Sequence, residues 1–414
     1  MKIILAPDSF KDTLPAKTVA GILSKKAKEI FPNCETIEIP LADGDKGTID
    51  TLISVLGGSY GKTTVRNYLG KDTEVIYGIL DRETAVMEAR HLLWDESTEY
   101  SIRQKMLFSS SYGVGELIRY LLDRGFKKIY IGAGKSIAND GGMGLAKALG
   151  VRFLNKKKEE VEAIGANLKE IAEIDISGLD PRLKEVEMIV MCAVNNALLG
   201  DQGATYLYGA LNGGGPEELI CLEHGMKNYA ALVEKKMGTS IITSTGAGAS
   251  GGIPAALKAF CGARLQSGIS TMLYLIGFEK LIDDASLVVV GEGLMDRTSI
   301  YGKAVTGIGM ACKAKGIPVV ALVGKIGREA EAIYHFGIDS VISSVTDVMD
   351  HSEFIEDAEI LIENASERLF RFLAVGMQIQ YKENGNPKKD IHLRKEHTGN
   401  KSFHWAFESN WEEF

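Results

Sequence analysis

The chain has 414 residues, 45% hydrophobic and 25% charged, the mix of a folded enzyme or binding protein with room for two or three domains. Its formal net charge of −8 argues against nucleic acid or a membrane surface as the main partner. Five scattered cysteines (Cys34, Cys192, Cys221, Cys261, Cys312) lack C-x-x-C or zinc spacing and read as reduced thiols of a cytoplasmic protein, and no apolar run approaches the ~18 residues of a membrane span.

The opening "MKIILAPDSF" reads as a first strand over Ile3–Ala6, not as a signal peptide. An amphipathic helix follows, with Val19, Ile22 and Leu23 at helical spacing. "CETIEIPLADGDKGT" is a second strand ending in a polar glycine turn, and "TIDTLISVLGG" a helix with a glycine stop. From Tyr60 to about Ala89 the pattern alternates with Gly or Asp turns, which predicts antiparallel strands. After the helix "GELIRYLLDRG" comes "IYIGAGKSIANDGGMGLAKAL", a strand, a glycine loop and a helix. From "SLVVVGEGLMD" onward helices and strands alternate as in a parallel sheet. The two ends of the chain thus read as one α/β domain, residues 1–60 and 286–375, interrupted by a second α/β domain over 61–285. The first is expected to be a flavodoxin-like parallel sheet. Residues 376–414 are polar and aperiodic and read as a disordered tail, with Phe403, Trp405, Phe407 and Trp411 near its end.

"GAGKS" looks like the end of a nucleotide-binding P-loop, but that motif needs a glycine five positions before Gly134, where Ile129 stands inside the strand. The loop also continues through Asn139, Asp140, Gly141 and Gly142 before its helix. What remains is a strand-to-helix glycine loop, able to face an anion with backbone N–H groups or to serve as a tight connection. A second such loop, "TSTGAGASGGIPAAL", places Gly246, Gly248 and Gly251 at dinucleotide-fingerprint spacing. The acid expected about 20 residues on is absent, with none before Glu279, which excludes a nicotinamide enzyme. Four polar loops follow predicted strands and carry Asp8, Asp43, Asp140, Glu292 and Asp296. Ligands of open α/β sheets bind at strand carboxyl ends, and converging carboxylates suit Mg²⁺ shared with phosphates. Lys303 follows Asp296 closely enough to bind a phosphate or carboxylate. The histidines form no acid–nucleophile motif.

"MKIILAPDSFKDTL", "ADGDKGT", "SSSYGVGELI", "IGAGKSIANDGGMG", "IDISGLDPRLKE", "GAGASGGIPAAL" and "GEGLMDRTSIYGKA", in this order, resemble the bacterial glycerate kinase family, the class unrelated to P-loop kinases. The likeness spans about residues 1–375. It implies transfer of the terminal phosphoryl group of ATP to a hydroxyl of D-glycerate with Mg²⁺, in organic acid metabolism, by two α/β domains, one inserted in the other. It implies that Asp8, Ser9 and Lys11 bind the substrate. Gly132, Gly134, Ser136, Asn139, Gly141, Gly246, Gly248 and Gly251 would face the nucleotide phosphates. Asp43, Asp296 and Lys303 are the catalytic candidates. Asp43, Asp140 and Asp296 are candidates for Mg²⁺, and which acid is the base stays open, as does an oligomer. Against the family's usual A-D-G-G-E-G-T, Asp45 replaces a glycine and Lys46 the glutamate. Lys135 stands for glycine, Ala138 for threonine, Ala193 for aspartate and Leu294 for arginine. Those changes leave open a shifted hydroxy-acid substrate, or a fold kept for binding or regulation without catalysis.

Overall fold

The computed structural model describes residues 1–10, 13–94, 102–300, 303–347, 349 and 351–382. In chain order its strands are β1 (Lys2–Pro7), β2 (Glu35–Glu38), β3 (Ser59–Arg66), β4 (Asp72–Ile79), β5 (Thr84–Glu88), β6 (Lys128–Ala133), β7 (Arg152–Leu154), β8 (Glu173–Asp175), β9 (Glu187–Cys192), β10 (Arg264–Ser267), β11 (Leu287–Met295), β12 (Val319–Ile326) and β13 (Ser340–Ser343). The chain divides into two compact units: unit 1 is Met1–Ala42 with everything from Gly277 onward, and unit 2 is Asp43–Ile276.

Unit 1 holds a five-stranded sheet in the order β13-β12-β11-β1-β2, every pair parallel. Within the unit this is the 2-1-3-4-5 order of the flavodoxin-like fold. Its central strands are continuous apolar runs, Ile3–Ala6, Val288–Val290 and Val319–Val323, because helices cover both faces. One face packs Leu23 of the helix Ala16–Ile30 and Leu369 and Phe370 of the helix Ala358–Lys382 against Ile3, Leu5, Val289 and Leu322. Val19, Ile22 and Leu23 are buried as their spacing requires. Truncating a core leucine such as Leu23 to alanine costs about 2–5 kcal/mol. The helix Ala358–Lys382 carries regular structure past residue 376, where the sequence pattern predicts a tail; residues 383–414 lie outside the described residues.

Unit 2 holds a six-stranded mixed sheet, β10-β9-β6-β5-β4-β3. β5, β6, β9 and β10 are parallel, and β4 and β3 extend them as an antiparallel edge. β7 and β8 form a separate antiparallel pair. The division between units falls earlier than the sequence pattern suggests. Residues 43–60 belong to unit 2, since the helix Thr48–Leu56 packs on β4 and β5. Residues 277–285 belong to unit 1, where Lys2 Nζ donates to the Leu281 carbonyl at 2.9 Å. Helix–strand alternation marks element type but not the sheet a boundary helix covers. Among the described residues no helix is long and apolar enough to cross a membrane.

One charged contact ties a helix to an interior strand of unit 2's sheet. Glu88 ends β5 with its side chain buried; its Oε1 accepts the Ile49 N–H at 2.8 Å, tying the helix Thr48–Leu56 to the sheet. Its Oε2 lies 3.1 Å from His91 Nε2. Pairing with Glu88, working against burial, raises the His91 pKa above its usual 6.5. A raised folded-state value means that this stabilisation is full below the ordinary pKa and is lost as pH rises through the folded one. Melting temperature followed from about pH 5 to about pH 9 should therefore fall more for the natural chain than for His91→Gln. Parallel profiles would remove the pair from the stability balance.

Candidate active site

In unit 1, β1 and β11 lie side by side where the winding of the sheet reverses, the place where open α/β sheets bind ligands outside their strand carboxyl ends. β1 stops at Pro7, opposite Gly291, while β11 continues along β12 to Met295. Glu292 is the first residue of this overhang and is 6% exposed. Lys303 Nζ donates to Glu292 Oε2 at 3.1 Å and to Ser299 Oγ at 3.3 Å. Ser299 Oγ also accepts the Asp296 N–H at 3.3 Å, and the Ser299 N–H donates to the Asp296 carbonyl at 3.0 Å. These bonds gather Asp296, Ser299 and Lys303 beside Glu292.

Burial pushes the Glu292 carboxyl above its usual range, and the Asp296 charge adds to that, while Lys303 and Ser299 pull it down. Among the described residues Glu292 Oε1 is buried without a hydrogen-bond partner. On the adjacent loop, the Asp8 N–H donates to the Gly291 carbonyl at 2.9 Å, and Asp8 Oδ1 accepts the Ser9 N–H at 2.6 Å. Lys11 lies outside the described residues. Leu294, further along the overhang, is 45% exposed.

In unit 2 the loop Asp43–Gly47 lies on the carboxyl edge of the parallel strands, and glycines make the approach possible. A Cβ on Gly44 would stand 2.3 Å from the Met191 carbonyl oxygen, and one on Gly268 would stand 1.5 Å from that of Asp43. Asp43, Asp45 and Lys46 are thereby held at the ends of β6 and β9, where Ala193 also lies. Asp45 accepts from Arg90 Nη1 at 3.2 and 3.4 Å and from the Lys135 N–H at 3.1 Å. The sequence reading singled out neither Arg90 nor this use of Asp45. Arg90's only signal was its place two residues beyond a strand.

The two glycine loops of unit 2 pack against each other. The Gly141 N–H donates to the Gly251 carbonyl at 3.0 Å, and Ser250 Oγ donates to the Gly134 carbonyl at 2.5 Å. A Cβ on Gly251 would fall 1.9 Å from the Ala138 carbonyl oxygen, and one on Gly248 would fall 2.1 Å from that of Ala197. Gly246 is pressed on Cys192, Gly132 on Gly44, and Gly141 on Tyr229. These glycines serve close packing. Ser136 Oγ donates to the Ala138 carbonyl at 2.9 Å, and Asn139 Nδ2 to Thr205 Oγ1 at 3.3 Å. Among the described residues Asn139 Oδ1 is buried without a hydrogen-bond partner.

Asp140 is corrected by its geometry. It is 1% exposed, and its carboxylate accepts from the Ser111 N–H and Oγ, both at 2.8 Å, from Gly142 N–H at 2.9 Å and from Gly144 N–H at 3.1 Å. Burial pushes its pKa up and these bonds pull it down. Its oxygens hold the chain rather than facing a metal. Among the described residues no three His, Cys, Asp or Glu side chains gather to hold a metal ion.

The sequence profile of the glycerate kinase family matches residues 3–374. The chain belongs to the glycerate kinase family. It is 36% identical to the glycerate kinase of Halalkalibacterium halodurans, over 89% of this chain and 97% of that one. It is 36% identical to the glycerate 2-kinase of Escherichia coli, over 91% and 99%. The crystal structure of a candidate glycerate kinase 2 from Salmonella typhimurium LT2 superposes with a TM-score of 0.77 at 33% identity, covering 91% of this chain and 99% of that one. This kinase family's fold is thus present, and residues 375–414 lie beyond the family match.

Asp140→Ala should leave several buried N–H donors without an acceptor and destabilise the protein by about 2–4 kcal/mol, read from urea unfolding. A variant as stable as the natural chain would show that Asp140 has no structural role.

Proposed function

We propose that this chain is an ATP-dependent kinase of D-glycerate, and that the 2-hydroxyl is the acceptor. Supporting this are the family membership and the constellation of Glu292, Asp296, Ser299 and Lys303 at the reversal point of unit 1's sheet. The 2-hydroxyl follows the name of the Escherichia coli relative. The −8 charge and cysteines that form no disulfide among the described residues agree with a cytoplasmic enzyme acting on small molecules.

The residues of unit 1 fit Mg²⁺. Among the described residues Glu292 Oε1 is a buried carboxylate oxygen with no hydrogen-bond partner, and the Asp296 charge lies close enough to disfavour Glu292's ionisation further. A divalent cation would offset both, and Mg²⁺ is commonly held by one or two carboxylates with phosphates supplying further oxygens. Glu292 would hold it, with Asp296 beside it. When bound, the ion neutralises charge on the transferring phosphoryl group.

The chain's own residues supply the rest. Asp8 and Ser9, on the loop set against β11, orient the acceptor, with Lys11 assigned to its carboxylate. Asp296 accepts the proton of the acceptor hydroxyl as that oxygen bonds to the γ-phosphorus and the bond to the β–γ bridging oxygen breaks. Lys303, held by Glu292 and Ser299, presents a fixed ammonium to the negative charge on the phosphoryl oxygens, where pre-positioned cations act most strongly. In unit 2 we propose Asp43 as a further catalytic carboxylate.

D-Glycerate incubated with Mg-ATP should give 2-phosphoglycerate and ADP, distinguished from the 3-isomer by ³¹P NMR. Lys303→Met should lower kcat by about a hundredfold while ATP binding persists. No glycerate turnover by the natural chain would sink this reading, and a fully active Lys303→Met would remove Lys303 from it.

A further inference from the structure

Lys135 is a side chain that the reading above leaves without a task. Its ammonium lies 5.0 Å from the centre of the Trp94 ring. The Arg90 guanidinium carbon lies 5.8 Å from the same ring. Trp94 closes the short helix Arg90–Leu93 that follows β5, and Lys135 lies on the loop after β6, so adjacent parallel strands deliver the two cations to one indole ring. Asp45 braces both, through Arg90 Nη1 and the Lys135 backbone N–H. The brace requires glycine at 134, where a Cβ would fall 1.9 Å from Asp45 Oδ1. Arg90 is 9% exposed, whereas Lys135 is exposed and its ammonium has no carboxylate partner among the described residues.

Among the described residues the cluster holds two cations and one carboxylate. An indole ring attracts cations, and arginine stacks on it well. Two cations gathered on one ring repel each other, and an anion between them offsets that repulsion. Asp45 is engaged with the Arg90 guanidinium and a backbone N–H, not with the Lys135 ammonium. Exposed Lys46 follows Asp45 directly.

We propose that Lys135 and Arg90, gathered on Trp94 and braced by Asp45, form an anion-binding platform at the carboxyl edge of unit 2's sheet that takes a carboxylate or phosphate group of a bound substrate. This rests on the kinase reading above. Within that reaction the anionic oxygens have two sources: the second carboxylate of a hydroxydicarboxylic acid, an acceptor larger in charge than glycerate, or the phosphates of the nucleotide.

The test uses the full chain, Lys135→Met, which keeps the stem without the charge, and Lys135→Arg, which keeps the charge. Each is titrated with glycerate, hydroxymalonate, malate and ATP by thermal shift, and steady-state kinetics are measured with each acid. Lys135→Met should weaken one ligand selectively, by about tenfold or more, and Lys135→Arg should recover most of it. A fall in kcat/KM for the dicarboxylates relative to glycerate identifies the second carboxylate as the group held. A rise in the KM of ATP alone identifies the phosphates. Loss of the same size for every ligand, or for none, overturns the platform. Glycerate turnover without any Lys135-dependent preference keeps the kinase reading and overturns this inference. Lys135-dependent binding of a ligand without phosphorylation of any acid keeps the platform and overturns the kinase reading.

Discussion

A single buried carboxylate, Asp140, organises much of unit 2. Its two oxygens hold the start of the helix Tyr112–Asp123 through Ser111 and the glycine turn through Gly142 and Gly144. The Ser111 hydroxyl passes the connection on by accepting the Leu145 N–H at 3.0 Å. A charge taken this far from water is tolerated only with several donors around it, and removing either side leaves the other uncompensated. Because the turn is fixed there, Gly141 can lie against Tyr229 and Gly251 against the Ala138 carbonyl. The two glycine loops then become one packed layer at the ends of the parallel strands. The backbone of Asp45, Lys135 and their neighbours inherits its position from that layer.

Unit 1 solves a different problem. Its sheet is covered on both faces, so its strands are apolar without alternation and leave no place for polar chemistry within them. Chemistry enters where β11 outruns β1, because Glu292 is still held in a strand by β12 but no longer has β1 beside it. The carboxylate is buried enough to resist ionisation and is kept in hand by the Lys303 ammonium. A buried ion pair of this kind gives little net stability, since desolvation consumes most of the attraction. Its value lies in holding a cation and a carboxylate in fixed positions before any ligand arrives, which is what phosphoryl transfer asks of a protein.

The same residue type therefore does different work in the two units. Asp140, in the loop after β6, and Glu292, within β11 just past the end of β1, are both buried acids, and a sequence shows them alike. Asp140 is satisfied by four donors from its own chain, whereas Glu292 keeps one oxygen without a partner. The number of donors around each carboxylate separates a structural anchor from a group available to a ligand, and that number is a property of the packed chain.

The sequence by itself determined the α/β class, the parallel strands at both ends of the chain, and the helix whose buried face carries Val19, Ile22 and Leu23, because periodic burial leaves its mark on every few residues. It also marked the strand-end loops, since glycines and acids cluster where the backbone turns tightly. Tertiary structure alone decided what those loops do. The spacing of Gly246, Gly248 and Gly251 suits phosphate binding and close packing equally, and only the carbonyls of Ala138 and Ala197 lying against them reveal the packing. The assignment of the helix Thr48–Leu56 to unit 2, the pairing of Lys303 with Glu292, and the meeting of Arg90 with Asp45 were likewise hidden. The first and the last depend on separate segments brought together by the sheet, and the second on the chain's return after β11, which brings Lys303 back to a residue 11 positions earlier; local propensity carries no record of either.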